Sequence, residues 1–265
     1  MPLVDVGDVE IYSEIHGSGP NLLLVAGLGG RHEFWKQQVP FLSQYFRVIL
    51  HDHRGVGRST RDKLVLGAEH MADDLILLMD ALDIEQAHLL GHSTGGAIGQ
   101  HIALKAPERI DKLVLSSSWA GPDPYLVQLF NARRQVLINC GPAAYITMGT
   151  YLATPSWHLR NQMKSPRSFL EERIEAFPGL EVELSRLAAV QAHDLRSSVH
   201  NITHNTLAIG AKDDQITPFS FTEELAEKIP NSTLTMLQHG GHFAPMTVYK
   251  EYNKAIMTFL SRIEK

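Results

Sequence analysis

The chain has 265 residues, 44% of them hydrophobic and 20% charged, with a formal net charge of −5. That length and mix suit one sizeable globular domain carrying an insertion, not a disordered or fibrous chain. Mild acidity gives no footing for nucleic acid or an anionic membrane, Cys140 alone cannot form an intramolecular disulfide framework, and no apolar run reaches the ~18 residues of a membrane span.

Met1-Pro2-Leu3-Val4-Asp5 has no basic stretch followed by an apolar run, so no signal peptide is expected and a cytoplasmic location is the default. Short runs of Val, Ile and Leu then alternate with segments of helical period. In chain order these predict strands at Val9–Ile15 and Leu22–Ala26, a helix at Trp35–Gln44, a strand at Arg47–His51 and a helix at Ala68–Leu82. A strand at Ala87–Leu90, a helix at Gly95–Lys105 and a strand at Lys112–Ser116 follow. Within Ala68–Leu82 the residues Met71, Leu75, Leu78, Met79 and Leu82 share one helical face. Leu22-Leu23-Leu24-Val25, apolar without a break, reads as a strand buried on both faces of a parallel sheet.

Between about Ala120 and Asn205 the alternation stops. Pro and Gly clusters there separate helix-like runs at Tyr125–Asn139, Ser168–Ala176 and Leu180–Ala192. A structureless loop this long is implausible inside a compact domain, so the stretch predicts a helical cap or lid inserted in the core. The alternation then resumes with Thr206–Ile209, Thr222–Lys228, Leu234–Leu237 and Thr247–Ile263. The expected division is a core of residues 1–119 and 206–265, with a cap at 120–205. Its architecture is α/β, a mostly parallel doubly wound sheet.

Gly91-His92-Ser93-Thr94-Gly95 lies between a predicted strand and a predicted helix. In that context G-x-S-x-G forms a sharp turn that projects the serine, with glycines relieving the crowding and a helix N-terminus behind it to favour a developing oxyanion. A serine hydroxyl needs a base within hydrogen-bond reach, and on such turns the order is serine, carboxylate, histidine. His242 in Gln238-His239-Gly240-Gly241-His242 is the expected base, on a glycine turn after the last strand, and His239 is its competitor. The preceding strand ends in Lys212-Asp213-Asp214-Gln215-Ile216-Thr217-Pro218. Adjacent side chains of an extended segment point apart, so only one carboxylate can face the histidine. The similarity of these turns to α/β-hydrolases, which usually place the acid four residues before a proline, implies Asp214, whereas counting from Gly210 favours Asp213. The backbone N–H groups of Thr94 and of Leu28, in the glycine-rich turn Gly27-Leu28-Gly29-Gly30, are the candidate oxyanion donors.

Asp52-His53-Arg54-Gly55-Val56-Gly57-Arg58-Ser59 resembles the D-x-R-G-x-G-x-S signature of the α/β-hydrolase superfamily, where it is mainly structural. The resemblance spans about Val9 to Ile263 and implies the α/β-hydrolase fold with an inserted helical cap. The elbow with Ala97-Ile98-Gly99-Gln100 looks like the 3-oxoadipate enol-lactonase branch, and Trp119 through Trp157 and Ala211–Pro218 look like the aminoacrylate hydrolase of pyrimidine-ring degradation. Both imply a small acyl substrate bearing a carboxylate, which Arg133 and Arg134 could bind, though both also suit a solvated helix face. Trp119, Asp123, Trp157 and His158 are pocket-lining candidates. Related epoxide hydrolases and haloalkane dehalogenases carry aspartate where Ser93 stands, which sets those reactions aside. The expectation is therefore an esterase or lactonase working through an acyl-enzyme on Ser93, His242 and Asp214, with no metal or other cofactor and a homodimer compatible with the sequence. Hydrolysis of C–N or C–C bonds and a slow-turnover ligand receptor are the alternatives.

Overall fold

The computed structural model describes residues 3–61, 67–162 and 166–261. Strands β1 (Leu3–Asp5), β2 (Glu10–His16), β3 (Asn21–Val25) and β4 (Arg47–His51) precede β5 (Ala87–His92), β6 (Ile110–Ser116), β7 (Asn205–Ala211) and β8 (Ser232–Leu237). They form a sheet in the order β1-β2-β4-β3-β5-β6-β7-β8, antiparallel at β1, β2 and β4 and parallel from β4 onward.

The unbroken apolar runs serve two cores at once because successive side chains of a strand point to opposite faces. Leu23, Val25, Ile49, Leu89, Leu113 and Leu115 pack on one side of the sheet, and Leu22, Leu24, Val48, Leu50, Leu90 and Val114 on the other. The first face is covered by α2 (Ala68–Ala81), α3 (Thr94–Lys105) and, further along, α8 (Phe219–Lys228), and the second by Trp35, α1 (Val39–Leu42) and α10 (Tyr249–Leu260). The expected helix at Trp35–Gln44 is instead a 3-10 turn, His32–Trp35, followed by the short α1. Pro40 lacks an N–H and sits in the first turn of α1, where no intrahelical bond is needed, so the α-helix starts there rather than at Trp35. The expected C-terminal helix begins at Tyr249 rather than Thr247, after the short α9 (Ala244–Thr247), and its expected end at Ile263 lies outside the described residues. Strand β1 was too short to show in the sequence pattern.

Helices α4 (Pro124–Ala153), α5 (Ser156–Gln162), α6 (Pro166–Glu175) and α7 (Leu180–Ala192) lie between β6 and β7. Asp123 opens α4 as its helix cap, accepting from the Leu126 N–H at 2.8 Å. Gly141, at φ 82°, breaks α4 just before Pro142. Leu126, Phe130, Leu137, Leu187 and Val190 join the core on the first face.

The Asp52–Ser59 segment is structural. Asp52 accepts from the His32 and Arg58 N–H groups at 2.8 and 2.9 Å, and buried Arg54 forks onto Asp8 and Asp74. Register then positions the candidate site: Val25 pairs with Gly91, His92 with Ser116 and Ser116 with Ile209. The loops after β3, β5, β6, β7 and β8 therefore all leave from the carboxyl edge of the sheet, where ligands bind in open α/β folds.

Candidate active site

Ser93 follows β5 and precedes α3 with φ 55° and ψ −119°, a strained conformation for a residue with a side chain. Its neighbours have no choice of residue. A Cβ on Gly91 would lie 2.2 Å from the Gly95 carbonyl oxygen, and one on Gly95 would lie 2.1 Å from that of Val25. The turn is braced as well: the Ser93 N–H donates to the Ser116 carbonyl at 2.7 Å, and the Ser118 hydroxyl donates to the Ser93 carbonyl at 3.0 Å. Thr94 and Gly95 open α3, where backbone N–H groups have no intrahelical acceptor. The Thr94 hydroxyl itself is buried with no partner among the described residues.

The turn after β3 reaches this elbow. A Cβ on Gly27 would sit 3.0 Å from the Ser93 Cβ, and the Gly30 N–H closes the turn onto the Gly27 carbonyl at 2.9 Å. Leu28 thus lies one residue from the contact with Ser93, its side chain half-buried against the core.

Asp214 and His242 are brought together, with Oδ2 and Nδ1 at 2.8 Å and both residues buried. Gly240 and Gly241, at φ 138° and 62°, make the turn that swings the imidazole in. A carboxylate at Nδ1 fixes the proton there and leaves Nε2 as the basic nitrogen. Asp214 is held by the Ile216 and Thr217 N–H groups on Oδ1, at 2.8 and 3.0 Å. Thr217 Oγ1 lies 3.0 Å from Asp214 Oδ2 and 3.2 Å from His242 Nδ1, and donates to the Ser117 carbonyl at 2.9 Å. Asp213 faces the other way and accepts from the Gly241 N–H at 2.8 Å, so it caps the histidine's turn. His239 is exposed and packs on Trp157 instead, at 5.8 Å between ring centroids.

The remaining candidates divide. Arg133 is buried, donates to Tyr145 Oη at 3.0 Å and lies over the Phe130 and Tyr145 rings, whereas Arg134 is exposed. Trp119 is fully buried, Trp157 is partly exposed and His158 is half-buried. Two contributors escaped the sequence reading. Arg186 of α7 donates through Nε to the Leu28 carbonyl at 2.7 Å, and His92 packs its ring 4.9 Å from that of His242. Among the described residues, His32, Glu33 and Asp52 could hold a cation, and Asp52 already accepts from the His32 backbone and ring.

Residues 20–247 match the model of the α/β-hydrolase fold family. The chain belongs to that family. It is 37% identical to "Putative carbamate hydrolase RutD" of Caulobacter vibrioides over 98% of this chain and 99% of that one. It is 36% identical to the protein of the same name from Azorhizobium caulinodans, over the full length of both. Among solved structures it superimposes on the enol-lactonase of Burkholderia xenovorans LB400 with a TM-score of 0.86, at 25% identity over 98% and 100% of the two chains. A thermophilic esterase of Thermogutta terrifontis matches with a TM-score of 0.84, at 27% identity over 95% and 93%. The protein is thus a hydrolase of the α/β fold. Among its described residues no helix is long and apolar enough to cross a membrane.

Proposed function

We propose that the protein hydrolyses small acyl compounds at a C–N bond, of carbamate or amide type, through an acyl-enzyme on Ser93. The observation that carries the reading is the Asp214–His242 hydrogen bond on the same sheet edge as the strained Ser93 elbow. Whole-length similarity to proteins named as carbamate hydrolases favours C–N cleavage over the ester or lactone cleavage expected from the motifs.

In this mechanism His242 Nε2 takes the Ser93 hydroxyl proton as Oγ bonds to the substrate carbonyl carbon. The negative charge moves to the carbonyl oxygen, facing the N–H groups of Leu28 and Thr94. His242 then gives its proton to the departing nitrogen as the C–N bond breaks and the neutral amine leaves. Water attacks the acyl-enzyme, losing its proton to His242, and collapse returns that proton to Ser93 as the acid product is released. Helices α4–α7 would cover this centre as a cap.

Ammonia or amine release from small carbamates and amides tests the reading, with p-nitrophenyl acetate run in parallel. Turnover of the nitrogen compounds that vanishes in Ser93→Ala is expected. A higher kcat/KM on esters and lactones would instead favour the second reading, which rests on the likeness to the enol-lactonase and esterase structures. Turnover that survives without Ser93 would sink both.

A further inference from the structure

The helical insertion places one guanidinium against the turn that carries Leu28. Arg186 is 1% exposed, a costly position for a charge even with the Glu183 carboxylate nearby. Its Nε donates to the Leu28 carbonyl at 2.7 Å, and Nη2 lies 3.1 Å from His53 Nδ1, which can only accept there. His53 in turn donates its backbone N–H to the Gly30 carbonyl at 2.8 Å. The turn at residues 27–30 is therefore gripped at both ends, by Arg186 on Leu28 and by His53 on Gly30. Gly30 makes room for this: at φ +63°, a Cβ there would meet Arg186 Nη2 at 2.6 Å. The third nitrogen, Nη1, is buried with no partner among the described residues. An apolar side chain would fill the same space without that cost, so packing alone does not account for an arginine.

We propose that Arg186 is a positioning residue for acyl transfer, fixing the 27–30 turn so that the Leu28 N–H meets the oxyanion formed on attack by Ser93. The inference rests on the acyl-enzyme reading above. It gives the oxyanion hole a strut from the insertion: if α7 lifts, the Leu28 carbonyl loses its donor and the turn is freed.

Arg186→Met and Arg186→Lys in the full chain test this, with Arg160→Ala in α5 as the control for losing an exposed arginine of the insertion. Three readouts are compared: kcat and KM for p-nitrophenyl acetate, affinity for a trifluoromethyl ketone that adds to Ser93, and the rate of Ser93 labelling by a fluorophosphonate. In Arg186→Met, kcat, labelling rate and ketone affinity should each fall about 100-fold, the scale of one lost oxyanion donor, with KM changed less than about threefold. Lysine keeps the charge but not the fork, so Arg186→Lys should recover only part of the loss. Arg160→Ala should match the parent. A folded Arg186→Met with all three readouts within about threefold of the parent overturns the inference, and so does a rise confined to KM, which would make Arg186 a substrate-binding group. Should Arg186→Met fail to fold, Arg186→Lys decides: parent-like kcat and ketone affinity overturn the inference, and a joint fall of tenfold or more supports it. Ser93→Ala separates the two claims. Turnover that persists there defeats the acyl-enzyme reading, whereas loss there beside an undiminished Arg186→Met defeats the positioning role alone.

Discussion

The imidazoles of His92 and His242 lie 4.9 Å apart at 51°, so the residue before the proposed nucleophile forms a wall of the proposed base. His92 is held in turn by stacking on Phe34 at 4.9 Å and by Ser116 Oγ at 3.1 Å from Nδ1. Burial, with a smaller contribution from His242, pushes its pKa well below the usual histidine range, so the ring is neutral. A neutral neighbour lets His242 gain a proton without facing a second charge. His92→Ala should open space beside His242 and lower kcat by about 10- to 100-fold, the effect of a small misplacement of a reacting group. His92→Phe keeps the wall and should lose less. Steady-state kinetics on both variants checks this, and an alanine variant within twofold of the parent would refute it.

Asp213 and Asp214 are neighbours with different duties, which makes them a matched test. Asp214→Asn keeps the shape but disturbs the tautomer of His242, and kcat should fall by about 10⁴, as for a measured triad carboxylate. Asp213→Asn weakens only a bond to the Gly241 N–H, and kcat should change less than about tenfold. Asp213→Ala should lower Tm. The reverse ranking would transfer the carboxylate role to Asp213.

The elbow, the histidine turn and the sheet were legible in the sequence because each depends on local chemistry. Gly91 and Gly95 have no room for a Cβ, and Leu22 to Val25 must feed two cores at once. The Asp213 or Asp214 ambiguity was real at that level. The two lie on the turn that follows β7, closed by the Asp214 N–H on the Ala211 carbonyl, which aims Asp214 at His242 and Asp213 at the Gly241 N–H, a matter of backbone direction that spacing only suggests. Arg186 and His92 were not legible. Arg186 stands 158 positions from Leu28 in a helix whose apolar period carries no sign of its contact with the core. Arg133 could be singled out by residue type, but its partner Tyr145 lies beyond the break at Gly141, where the helical phase is reset.

Arg54 shows that the Asp52–Ser59 motif acts through stability. It is buried and shared between Asp74 of α2 and the more exposed Asp8. Asp74→Ala leaves the guanidinium with only Asp8 and should cost about 3–5 kcal/mol, the range for breaking a buried pair. kcat at 25 °C should stay near the parent value in the fraction that remains folded. Chemical denaturation beside active-site titration measures both, and a large loss of kcat at full folding would give the motif a direct catalytic part.

Buried neutral histidines set the acid limit of the fold. Burial pushes His51 down to about 4, and burial with His101 nearby does the same to His193. His193 Nε2 lies 3.2 Å from the Trp119 carbonyl and Nδ1 3.2 Å from His101 Nε2, so the neutral ring donates to the first and accepts from the second. Protonating Nδ1 would turn that acceptor into a donor. In the unfolded chain both rings take protons near pH 6.5, but in the folded protein only near 4. The unfolded state therefore binds more protons between those values, and stability falls as pH is lowered through that window while staying flat above it. The loss should approach roughly 3 kcal/mol for each histidine by pH 4. His193→Gln keeps a donor for the Trp119 carbonyl and removes one titrating group, so its stability should decline less steeply than the parent's between pH 6.5 and 4. Urea unfolding across that range decides the matter: a parent curve with no slope, or a His193→Gln curve as steep as the parent's, would show that His193 is not neutral in the folded protein.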